Sequence, residues 1–84
     1  MFKIVWHPRV RKFLRKISSK DSQRIVKKLL KIKENPFRYL CHYEGSRYHK
    51  LRIGDFRALV DVDSRNKTLY VQVLDKRGRI YKRQ

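Results

Sequence analysis

The chain reads as an α+β domain: an N-terminal strand, a two-helix hairpin, then an antiparallel sheet of three or more strands with both helices on one face. Three observations carry this. Apolar residues recur at helical spacing in Val10, Phe13, Leu14 and Ile17, and again around Ile25, Val26, Leu29 and Leu30. From Tyr48 to Asp61 the period changes to two, as in paired strands with one wet face. Asn35-Pro36 and Gly54-Asp55 punctuate the change. A chain of 84 residues has room for one modest core, so a single domain over residues 1–84 is expected.

Phe2, Ile4 and Trp6 alternate with Lys3, Val5 and His7, which predicts a first strand over Phe2–Trp6. Pro8 ends it and favours the first turn of a helix. In that helix Arg9, Arg11, Lys12, Arg15 and Lys16 face away from the apolar stripe. Ser18-Ser19-Lys20-Asp21 is a break that supplies its own cap, because a Ser or Asp oxygen accepts from the free N–H groups of the next turn. The second helix is expected to bury Ile25, Val26, Leu29, Leu30 and either Ile32 or Lys33, until Asn35-Pro36 stops it. The short connection predicts an antiparallel helix pair. From Phe37 to Arg47 the periodicity is lost, so a surface loop is expected, with Tyr39, Leu40 and Tyr43 covering one end of the core.

Gly54-Asp55 suits a type II′ hairpin turn. As the whole loop it sets Ile53 against Phe56, Arg52 against Arg57, Leu51 against Ala58 and Lys50 against Leu59. His49 then lies on the core side, expected to be buried and hydrogen-bonded. After Asp63–Lys67 a further strand is expected through Leu69–Leu74, and a basic, aromatic stretch closes the chain from Asp75 to Arg83.

With 24 Lys and Arg against 7 Asp and Glu, the formal charge is +17, which implies a polyanionic partner. Forty per cent hydrophobic residues argue against a disordered basic tail. The apolar runs are far shorter than the ~20 residues that span a bilayer, and the N-terminus has no signal-peptide pattern, so the expected location is the cytoplasm. Cys41 has no disulfide partner and no Cys/His spacing fits a zinc site, so neither metal nor cofactor is expected. Within the hairpin, Arg52 and Arg57 face each other with Lys50 beside them. Like charges directly opposed cost stability, so the cluster is expected to hold an anion. Cations interleaved with aromatics suit single-stranded RNA, since cations track the phosphates and flat groups stack on bases. The candidates are Lys50, Arg52, Arg57, Lys76, Arg77, Arg79 and Tyr81.

Strand, two helices, the hairpin Tyr48-His-Lys-Leu-Arg-Ile-Gly-Asp-Phe-Arg-Ala-Leu-Val60 and the ending Lys76-Arg-Gly-Arg-Ile-Tyr-Lys82 resemble the RelE family of toxin ribonucleases over nearly the whole chain. The resemblance implies an endoribonuclease, independent of metal, that cuts mRNA in the ribosomal A site by attack of the 2′-hydroxyl on the adjacent phosphate. It implies contacts with ribosomal RNA and neutralisation by an antitoxin of the RelB kind. Carried over, Lys50 and Arg57 match the family's cationic pair on the hairpin, Arg77 its general-acid arginine and Tyr81 the tyrosine near the nucleophile. Arg52, Lys76, Arg79 and Tyr48 are expected RNA contacts. Two positions depart from the pattern: Tyr48 stands where some members carry lysine, and Lys76 where many carry histidine, which leaves the general base unassigned. The alternatives are a ParE-like inhibitor of DNA gyrase with the same fold and a basic RNA-binding module without activity.

Overall fold

The computed structural model describes residues 1–76. Along the chain run β1 (Lys3–Trp6), α1 (Pro8–Lys16), α2 (Ser19–Ile32), α3 (Pro36–Tyr39), β2 (Cys41–His42), β3 (His49–Ile53), β4 (Phe56–Asp63) and β5 (Thr68–Lys76). The strands form one sheet in the order β1-β5-β4-β3-β2. All pairings are antiparallel except β1 with β5, which is parallel.

The helices form where the sequence places them. The His7 ring Nδ1 accepts from the Arg9 N–H and caps α1, with Pro8 in its first turn. Ser18 caps α2 by accepting from the Asp21 N–H at 3.2 Å. Val10, Ile25, Leu29 and Ile32 are fully buried and join Leu51, Ile53, Phe56, Ala58, Val60, Leu69, Val71 and Leu74 in one cluster. The register puts those strand residues on one face of the sheet, so both helices cover the same face. Leu30 departs from expectation. It is 46% exposed, because Ile25, Leu29 and Ile32 define the buried stripe and position 30 lies about 100° round from Leu29.

The hairpin register is the one its turn dictates. Ile53 pairs with Phe56, Arg52 with Arg57, Leu51 with Ala58 and Lys50 with Leu59. Gly54 has φ +59°, whereas Asp55 has no positive φ, as a II′ turn requires. A Cβ on Gly54 would also lie 2.5 Å from Nη1 of Arg24, which packs over the turn. Gly54→Ala is therefore expected to destabilise the domain by about 1–2 kcal/mol, the cost of a left-handed L-residue. Chemical denaturation measures it; no loss would mean that the turn relaxes to another type.

Between Leu59 and Val60 the β4–β5 register shifts, so Leu59 pairs with Val73 but Val60 with Val71. One residue of β5 is extra, as in a β-bulge, and the parity of that strand reverses. Leu69 and Val71 face the core before the shift, and Leu74 faces it after. As a result Asp75 lies on the other face, directly opposite Arg57.

The expected loop over Phe37–Arg47 is corrected in its first half. Asn35-Pro36 does end α2, but Pro36 also begins the single turn α3, closed by the Leu40 N–H donating to the Pro36 carbonyl at 2.9 Å. Cys41 and His42 then add β2 to the sheet edge. Leu40 is buried in the core and Tyr39 packs against it, as expected.

His49 is on the core side but is not hydrogen-bonded at Nδ1, which is buried without a partner among the described residues. Its ring meets those of His42 at 5.4 Å and Phe37 at 6.3 Å. Burial first, and then the neighbouring His42, hold its pKa below the ordinary 6.5, while Asp61 opposes them. The unfolded chain therefore takes up this proton first. Stability from the neutral ring is complete above about pH 6.5 and falls as pH drops toward the lower folded value. Melting temperatures between about pH 7.5 and 5 should fall less steeply in His49→Phe than in the wild type; parallel curves would assign the pH dependence to other groups.

Candidate phosphate-binding cleft

On a strand pair, residues directly opposite share a face. Cys41 opposite Lys50, and Arg52 opposite Arg57, therefore stand on the sheet face away from the helices. Tyr39 closes one side, and these five residues line a cleft of about 150 Å³. The turn at Gly54-Asp55 fixes the register, the register gathers the three cations, and α3 brings up the tyrosine.

The cations differ in setting. Arg57 is only 8% exposed and faces Asp75, itself 3% exposed, across the β4–β5 pair. Lys50 is half-buried, with its ammonium 5.6 Å from the ring centre of Tyr43. Arg52 is exposed. Tyr39 carries the Lys28 ammonium 4.9 Å from its ring centre, so a helix side chain reaches the rim. A small concave site with three cations from two adjacent strands suits a phosphodiester, whose charge is spread over two oxygens. It also offers a tyrosine face for stacking.

The expected residues separate into three groups. Lys50, Arg52 and Arg57 converge on the cleft. Tyr48 does not line it; it precedes β3, its N–H donates to the Ser46 hydroxyl at 3.0 Å, and the guanidinium of Arg47, paired with Asp61, lies 5.8 Å over its ring. Lys76 pairs with Phe56, on the helix side of the sheet, and its N–H donates to the Asp75 carboxylate at 2.7 Å. Arg77, Arg79 and Tyr81 lie outside the described residues. Sequence reasoning missed Tyr39 and Cys41 as cleft residues, because the pairing of β2 with β3 has no periodic signal in two residues. No group of three or more His, Cys, Asp or Glu fit to hold a metal occurs among the described residues. Among those residues no helix is long and apolar enough to cross a membrane.

Fold and cleft together define a small, strongly basic α+β domain with a cationic cleft on the sheet face away from the helices. Residues 4–81 match the family model described as the ParE toxin of the type II toxin-antitoxin system parDE. The chain belongs to that toxin family, within the wider RelE/ParE superfamily. Its fold is that of solved RelE structures. It is similar to a chain of the RelBE2 toxin-antitoxin complex from Mycobacterium tuberculosis, with TM-score 0.79 and 19% identity over 90% of this chain and 98% of that one. It is similar to a chain of the archaeal RelE-RelB complex from Pyrococcus horikoshii, with TM-score 0.80 and 21% identity over 93% and 97%. The intact RelBE complex of E. coli gives 0.75 and 22% over 90% and 96%. No curated protein sequence matches the chain significantly.

Proposed function

We propose that this toxin is a ribosome-dependent endoribonuclease of the RelE kind, acting in the cytoplasm as a single domain over residues 1–84. The observation that carries the reading is the convergence of Lys50, Arg52 and Arg57 on one cleft beside Tyr39. In the reaction the 2′-hydroxyl of the mRNA gives up its proton to a general base that this reading leaves unassigned, and its oxygen attacks the adjacent phosphorus. The bond from phosphorus to the 5′-oxygen breaks, that oxygen takes a proton from the general acid, and a 2′,3′-cyclic phosphate and a 5′-hydroxyl result. Charge builds on the non-bridging oxygens as the new bond forms. Fixed cations at that position bind the transition state more tightly than the ground state. Lys50 and Arg57 take that role, Arg52 holds a flanking phosphate, Arg77 protonates the leaving oxygen and Tyr81 positions the nucleophile. Lys76, Arg79 and Tyr48 are proposed contacts to the flanking RNA. The chemistry uses no metal, so cleavage should survive chelators that leave the ribosomes intact.

The partner that restrains it is a RelB-like antitoxin. The similar RelE chains from M. tuberculosis, P. horikoshii and E. coli were solved in such complexes.

The decisive experiment maps mRNA 3′ ends after brief induction of the wild type and of Arg77→Ala. The wild type should leave cuts at A-site positions, and Arg77→Ala should cut about 10²–10⁴-fold more slowly, the usual loss of a general acid. If Arg77→Ala cuts within a few-fold of the wild type, this arginine is not the proton donor. The family match to a ParE toxin favours a second reading, inhibition of DNA gyrase without RNA cleavage. Growth arrest with intact transcripts and blocked supercoiling would select it.

A further inference from the structure

We propose that Arg24, Lys27, Lys28 and Lys31 of α2, joined to the cleft by Arg52, form a second cationic track that grips the phosphate backbone of the RNA strand beyond the cut site. The inference rests on the reading of the cleft as an RNA site and extends it to a surface on the helix layer.

Residues 24, 27, 28 and 31 follow the i, i+3, i+4, i+7 pattern and so form one stripe of α2. The stripe opens on a groove of about 500 Å³ between α2 and the β3–β4 turn, lined by those four residues with Arg52, Ile53 and Gly54. No carboxylate lines it. Like charges at 24/28 and at 27/31 repel along the helix, and among the described residues no ion pair offsets them. A helix loaded this way is stabilised by a bound polyanion.

Two bridges connect groove and cleft. Arg52 lines both spaces. Lys28, on the groove, reaches over the ring of Tyr39, on the cleft. Arg24 is seated against the turn at Gly54, close enough that a Cβ there would meet it. Cations therefore run without interruption from Lys50 and Arg57, through Arg52, to α2. From residue 24 to residue 31 the helix rises about 10 Å, which spans about two to three phosphates of one strand. Between the cations the floor is Ile53 and the methylene stems of the lysines and arginines. That hydrocarbon suits the face of a ribose or base, whereas the N–H groups of an acidic peptide would find no acceptors on it.

The test measures salt-dependent affinity of the full chain for uncleavable 2′-O-methyl oligouridylates, one of about 3 residues that fills only the cleft and one of about 12 that reaches α2. The slope of log affinity against log salt should be steeper for the long strand. Lys27→Ala/Lys31→Ala should lower the long-strand slope by about 1.4 and weaken binding roughly 25-fold at 0.1 M salt, since each phosphate contact on a single strand contributes about 0.7. Binding of the short strand should not change. Both lysines are exposed on a helix and alanine favours helix, so the variant folds. The double variant Arg11→Ala/Lys20→Ala removes the same charge elsewhere and should keep the wild-type slope.

An unchanged slope in Lys27→Ala/Lys31→Ala, or an equal fall in the control, overturns the track. So does loss of polyglutamate binding with RNA binding retained, which would make the groove a peptide site. Failure of the cleft reading appears elsewhere, as short-strand affinity indifferent to Lys50→Met.

Discussion

Lys50→Met should reduce cleavage of ribosome-bound mRNA by about 10²–10³-fold, the loss of about 2.7–4 kcal/mol of transition-state stabilisation that follows removal of one preorganised charge partner. Methionine keeps the length of the stem, which runs from β3 into the cleft beside Tyr43. The position is half-buried and faces Leu59 across the strand pair, so an apolar replacement is tolerated by the fold. The lost activity is therefore separable from lost structure by a melting curve. Arg57 is a less clean target, because it is nearly buried opposite Asp75 and truncation disturbs a buried charge as well as the cleft. A Lys50→Met protein that cleaves at the wild-type rate would remove this lysine from the chemistry and leave phosphate positioning as its role. If it stops growth as the wild type does, without RNA cleavage by either, the gyrase reading gains.

The largest effect on stability is expected at Leu69→Ala. Leu69 is fully buried in β5, which sits between β1 and β4, and it pairs with Ile4 on one side and Val62 on the other. Truncating a buried leucine costs about 2–5 kcal/mol, from lost transfer and the cavity left behind. A chain of this size has roughly 4–13 kcal/mol in total. At about 4–8 °C per kcal/mol the melting temperature should fall by at least about 8 °C. Leu30→Ala is the contrast, since that leucine is 46% exposed and its replacement should stay within about 1 kcal/mol. Equal losses at the two positions would contradict the assignment of the buried stripe on α2.

The part of the cleft that was legible in the sequence came from local rules. A two-residue Gly-Asp turn admits one register, and that register alone sets Arg52 against Arg57 with Lys50 two residues away. Arg57 and Asp75 were not legible as a pair. Their meeting depends on the shift between Leu59 and Val60, and β5 without it would have turned Asp75 to the core. Tyr39 was read as cover for the core, which it is, but its place on the cleft depends on α3 and on β2 reaching Lys50. The cationic spacing along α2 was present in the sequence as a period-3.6 pattern.

By itself the sequence determined the two amphipathic helices, the first-turn proline of one at Pro8 and the cap of the other at Ser18, the hairpin with its register, and the net charge that demands an anion. These rest on periodicities and turn chemistry acting within a few residues. The tertiary structure decided the parallel seating of β1 against β5, joining residues 3–6 to 68–71, and the convergence of Tyr39, Lys50, Arg52 and Arg57. Pairings across some sixty positions leave no local pattern, because they are chosen by which assembly buries Leu69, Val71 and the helix stripes together.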